Sequence, residues 1–208
     1  TTFNTPRFIL HIDKNEDLQK NHIPSPEVLA KNTISVLNKT HDELRRIFKA
    51  SPQHRVVLRF LSPLEFQRQT GAPAWTSAMF YRDEITIPLS PETGIDPEEL
   101  GRALRHEYVH AFIAEISKYR CPAWLDEGVA QLIEGEPNPL LGPALRRWVV
   151  QNDPIPLDWL QSGFTTLDSA IVPAAYAQSP FAARSIVNTL GFGAIIEYLQ
   201  QLSKGTRE

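Results

Sequence analysis

The sequence predicts an α+β chain with a small mixed β-sheet and helices in its first half, one central helix, and a mainly helical second half. Three observations carry this. Short runs rich in β-formers stand at Arg7–Ile12, at Arg55–Leu61 and on either side of Arg82-Asp83. A long stretch of helical periodicity separates the first two. From Trp124 to Leu202 the apolar residues recur at helical spacing, broken by proline and glycine, with no convincing strand. The length of 208 residues suits a single domain, 1–208, with an N-terminal lobe over about 1–117 and a helical C-terminal lobe over about 118–208.

Taken in order, Arg7-Phe8-Ile9-Leu10-His11-Ile12 reads as a strand running into a polar turn at Asp13 to Asp17. After Pro24-Ser25-Pro26, Val28, Leu29, Ile34, Val36, Leu37, Leu44, Ile47 and Phe48 fit one long amphipathic helix that Ser51-Pro52 ends. Arg55 to Leu61 is a second strand, and Phe66 to Pro73 a short helix or loop broken at Gly71. Thr76–Tyr81 and Glu84–Leu89 flank Arg82-Asp83 as a hairpin, in which Pro88 suits an edge position. Ser90-Pro91-Glu92-Thr93-Gly94 is a turn-rich connection. Asp96 caps the central helix, Pro97 occupies its first position, and Glu99 completes a capping box. Beyond it, helices are expected over Trp124–Glu134 and Leu140–Gln151. A looser region with Pro154, Pro156, Gly163 and Pro173 follows. Ser179-Pro180 starts a helix that Gly191 ends, and Phe192 to Leu202 forms the last one.

Composition narrows the possible partners. Hydrophobic residues make up 42% and charged residues 22%, as in ordinary globular chains. Basic and acidic side chains number 21 and 24, a net charge of −3, so nothing points to nucleic acid or an anionic membrane. No apolar run is long enough for a transmembrane segment. The chain begins Thr1-Thr2-Phe3 without methionine or a charged-then-apolar leader and reads as a mature or excised domain. Cys121 is the single cysteine, which rules out an internal disulfide and a multi-thiolate metal site. It reads as a small buried side chain.

The central helix contains His106-Glu107-Tyr108-Val109-His110. Positions i and i+4 share a helix face, so both histidines can reach one metal ion, and Glu107 lies beside them, where a carboxylate can take a proton from activated water. This is the chemistry of a zinc hydrolase. A helical wheel places Ala103, His106, Glu107, His110 and Ala114 in one stripe, and the small alanines leave room for a metal and a substrate. A catalytic zinc ion usually has three protein ligands. No histidine follows His110, so a downstream histidine is excluded, and Glu127 is the carboxylate candidate, with 16 residues between it and His110.

His106-Glu107-x-x-His110 followed by Trp124-Leu125-Asp126-Glu127-Gly128-x-Ala130 resembles the gluzincin zinc metallopeptidases, in particular the peptidase MA-like domains. The second block is similar to the Trp-Leu-Asn-Glu-Gly-Phe-Ala segment of the zinc aminopeptidases, with Asp126 in place of asparagine. The resemblance implies a zincin-like fold, with His106, His110 and Glu127 as ligands of a Zn2+ cofactor and Glu107 as general base. Tyr176, in Tyr176-Ala177-Gln178-Ser179, is similar to the tyrosine-bearing segment downstream of the ligands and would donate a hydrogen bond to the developing oxyanion. Asp126 or Gln131 would hold a ligand histidine by its second nitrogen. The aminopeptidases carry a Gly-x-Met-Glu-Asn anchor for the substrate amine, whereas Gly71-Ala72-Pro73-Ala74-Trp75 has no glutamate there. The expected activity is therefore that of an endopeptidase, or of a peptidase of open cleavage mode, acting on a peptide or protein substrate, which pairs with an edge at Ile85-Thr86-Ile87. The alternatives are a catalytically weak peptide-binding domain that keeps the fold, and a zinc hydrolase of another carbonyl substrate. The resemblance favours an exported, periplasmic or secreted, location.

Overall fold

The computed structural model describes residues 1–12, 23–72, 76–90, 96–135, 141–164 and 167–205. The expected turn at Asp13–Asp17 and the segments Pro73–Trp75 and Pro91–Gly94 lie outside them. The described residues form a mixed α+β structure of seven helices and a five-stranded sheet. The chain divides into two compact units, Thr1–Phe112 and Ile113–Glu208.

The first unit contains β1 (Thr2–Asn4), β2 (Phe8–Ile12), α1 (Pro26–Phe48), β3 (Val56–Leu61), α2 (Pro63–Thr70), β4 (Met79–Tyr81), β5 (Glu84–Pro88) and most of α3 (Pro97–Ser117). Strand order is β1-β2-β3-β5-β4. The β2–β3 and β3–β5 pairs are parallel and the two outer pairs antiparallel. Helix α1 supplies the crossover that parallel β2 and β3 require. The Ser25 hydroxyl accepts from the Val28 amide at its start, and Lys49 in the left-handed region closes it. Its buried stripe includes Leu37, His41 and Leu44.

Strand pairing aligns Phe3, Leu10, Leu58, Ile85 and Phe80 across the sheet, so these five share one face. The middle three are fully buried. The hairpin turns through Arg82 and Asp83 at φ 48° and 62°, the left-handed pair a two-residue turn needs.

Several expectations change here. Strand β1 was not anticipated, and α2 begins at the Ser62 cap rather than near Phe66. The edge expected at Ile85-Thr86-Ile87 is not an edge, because β5 lies between β3 and β4 and β4 ends the sheet among the described residues. Pro88 is tolerated for a local reason. The Leu89 amide bonds back to Leu61 on the β3 side, so position 88 faces the other way, where pairing with β4 has stopped at Thr86.

The second unit holds the end of α3, α4 (Ala123–Glu134), α5 (Leu141–Gln151), a 3-10 turn (Leu157–Leu160), α6 (Val172–Leu190) and α7 (Phe192–Ser203). Ile155, Leu160, Phe164, Ala174 and Ala175 make a core against which Trp124, Trp148 and Tyr176 pack. Gln178 fastens the loop before the 3-10 turn by donating to the Ile155 carbonyl at 2.7 Å and accepting from its amide at 2.9 Å.

Helix α6 starts at Val172, with Pro173 in its first turn, rather than at Ser179-Pro180, and Pro180 lies inside it. A proline there cannot donate to the carbonyl four residues back, which belongs to Tyr176. The side-chain amide of Gln131 on α4 donates to that carbonyl at 3.0 Å instead. The helix therefore continues through a residue that ordinarily stops one. No helix among the described residues is long and apolar enough to cross a membrane.

Candidate metal centre

Helix α3 opens on Asp96, whose Oδ1 accepts from the amides of Glu98 at 2.8 Å and Glu99 at 3.4 Å. This fixes the helix start and hence which way its later residues face. Tyr108, Val109 and Phe112 are buried, and Tyr108 meets both Phe8 and Phe112 edge-on at ring distances of 5.3 Å. His106 is half-buried, whereas Glu107 and His110 are 8% and 7% exposed. The two imidazoles stand 5.0 Å apart with their planes at 76°.

Two contacts with α1 fix the helix about its axis. The Tyr108 hydroxyl and His41 Nδ1 share a 2.8 Å hydrogen bond in the core. Arg105, next to the first histidine, forks onto both Glu43 oxygens at 2.5 and 2.6 Å. That hydrogen-bonded guanidinium holds the Glu43 carboxyl below its usual range. Burial, with Arg7 nearby, pushes the His41 imidazole down, so it is neutral near pH 7, and burial pushes the Tyr108 phenol up.

Glu127 sits in the second turn of α4, followed by Gly128, and this glycine sets how close α4 comes to α6. A Cβ at Gly128 would lie 2.5 Å from the Ser179 carbonyl oxygen and 2.9 Å from the Ala183 Cβ. Only glycine permits this approach.

His106, His110 and Glu127 each present one ligand atom, and these atoms all lie within 4.8 Å of one another. Three donors about 2.1 Å from a tetrahedral ion sit roughly 3.4 Å apart, a spacing of the same order. Two imidazole nitrogens and a carboxylate oxygen are a donor set suited to zinc, and Glu127 Oε2 is shielded from solvent, where a positive charge is most effective. The residues present therefore fit a divalent ion of this kind.

The other expected residues have contacts of their own. Tyr176 is half-buried on α6 and packs its ring edge-on to Phe164 at 4.7 Å. Gln131, named with Asp126 as a candidate to hold a ligand histidine, donates its amide nitrogen to the Tyr176 carbonyl, the acceptor that Pro180 cannot serve. Cys121, expected to be buried, is half-buried and lies outside the three-residue cluster, and desolvation, reinforced by Asp126, pushes its thiol well up. The core contact of His41, and the placing of the Phe80 ring 6.4 Å from that of His110, were not read from the sequence. His41 had a signal, since it falls on the apolar stripe of α1 between Leu37 and Leu44. Phe80 had none, because its position depends on strand order.

The chain matches no protein-family model, and a search of curated proteins finds no match either.

Proposed function

We propose that this chain is a zinc-dependent peptidase of the gluzincin type, zincin-like in fold, that cleaves within peptide or protein chains. One observation carries the reading: His106, His110 and Glu127 bring their ligand atoms together, with Glu107 next to the first of them on the same helix. A zinc ion held by these three would act as a Lewis acid and bring the pKa of a bound water to about 7.

The protein's own groups account for the rest. Glu107, almost fully buried, accepts the proton released as water attacks and delivers it to the departing amine. Tyr176 donates a hydrogen bond to the oxyanion. The substrate lies extended along β4, the terminal strand, and adds to the sheet through backbone hydrogen bonds. In support of that placement, the Phe80 ring of β4 lies against the His110 ring.

The test is metal analysis together with a Glu107→Gln variant on a peptide library. Wild type should contain one zinc per chain and cleave peptides, and the variant should keep its zinc while losing cleavage by about a hundredfold or more. Wild type that holds zinc, cleaves nothing and binds peptides no better than the variant would replace this reading with that of a binding domain.

A further inference from the structure

We infer that Phe80 is a positioning residue for the His110 imidazole, an inference that rests on the metal-centre reading above. Sheet register places Phe80 at the outer end of the row Phe3, Leu10, Leu58, Ile85, Phe80, on the last strand of the sheet. Its inner neighbour Ile85 is fully buried, whereas Phe80 is only half-buried and forms the rim of that face. Its ring lies 6.4 Å from the His110 ring, centroid to centroid, with the planes only 20° apart. Such a near-parallel, offset pair lies within the range where aromatic rings attract.

The geometry constrains one motion in particular. The χ2 torsion of a histidine is broad, so an imidazole with space on either side samples many ring orientations. A metal ligand must keep its nitrogen aimed at the ion. Rotation of His110 out of its present plane turns a ring edge towards Phe80, so the phenyl acts as a wall on that side. His110 itself is 7% exposed. Neighbours that orient a ligand histidine commonly contribute ten- to a hundredfold in metal affinity. Here the neighbour considered is a packed ring.

The hairpin explains how a three-residue strand can hold such a wall. Its turn residues sit in the left-handed region, and β4 pairs with β5 at all three of its positions. The Phe80 backbone is therefore held by the sheet, and its side chain points to the face occupied by Ile85.

The experiment compares wild type, Phe80→Ala and Phe80→Leu in the full chain. Zn2+ affinity is measured by chelator competition, Co2+ loading by its visible d–d absorption, and the metal-free melting temperature alongside. Phe80→Ala should weaken zinc binding at least about tenfold and shift the cobalt band, while Phe80→Leu, which keeps most of the bulk, should stay within about threefold of wild type. The melting temperatures show whether each variant is folded, and if Phe80→Ala is not, Phe80→Val, smaller than leucine but suited to a strand, takes its place with the same expected and contradicting results. Unchanged zinc affinity and an unchanged cobalt spectrum in Phe80→Ala would overturn the inference while leaving the metal centre standing. Wild type that binds no Zn2+ would overturn both.

Discussion

The two units secure their expected metal ligands by different means. In the first, the histidine-bearing helix is held by side chains: Tyr108 on His41, Arg105 on Glu43, and Phe80 against His110. In the second, the helix bearing Glu127 is held by close backbone approach, with Gly128 against the α6 carbonyl of Ser179 and Gln131 completing a proline-interrupted helix. Side-chain contacts can be trimmed one at a time. A close backbone approach tolerates almost no added volume. The second unit should therefore be the more brittle to a small substitution, and the first should lose stability in steps.

The largest effect is expected at Gly128→Ala. The new methyl collides with backbone and side-chain atoms of α6. Overpacking of this kind costs about 1–3 kcal/mol or more, and the better helix propensity of alanine returns up to about 1 kcal/mol. A net loss of about 2 kcal/mol, read by urea denaturation, is the expected outcome. A neutral result would remove the contrast between the units.

Tyr108→Phe comes next. It leaves His41 Nδ1 buried without the Tyr108 hydroxyl, at a cost of about 1–2 kcal/mol in the same assay. Gln131→Ala should lose about 1 kcal/mol by removing the donor to the Tyr176 carbonyl. The sharper measurement there is the double variant. Pro180→Ala restores the backbone amide that the helix lacks, so Gln131→Ala should cost much less in a Pro180→Ala background. Additive costs would mean that Gln131 does not stand in for the missing amide.

The smallest effect is in pH dependence. The folded-state pKa of His41 lies below its ordinary value near 6.5, so the unfolded chain binds this proton more readily. The stability it contributes is complete above that pH and falls as pH drops towards the folded pKa, at most about 1.4 kcal/mol per pH unit. Glu43 also has a lowered pKa, but its loss belongs below its ordinary value near 4.5. A His41→Gln variant should therefore flatten stability just below pH 6.5 and leave the decline below pH 4.5 in place.

Much of this was legible in the sequence because it is local. The stripe of α1, the strands at β2 and β3, the hairpin and the cap of α3 all announce themselves within a few residues. His106, Glu107 and His110 follow from helical spacing, and Glu127 from its neighbours. What was missed depends on partners distant in sequence. Strand β1 is three residues long and exists by pairing with β2. The edge was placed on β5 because pairing order is not written in alternation. Pro180 reads as a helix start until Gln131 is seen taking the role of its absent amide.

Whether His106, His110 and Glu127 hold one metal ion is tested most directly by zinc content in wild type and Glu127→Gln. One zinc per wild-type chain, lost or weakened at least about a hundredfold in the variant with its fold intact by circular dichroism, is the predicted result. Wild type without zinc affinity, or a variant that binds zinc as tightly as wild type, would contradict it.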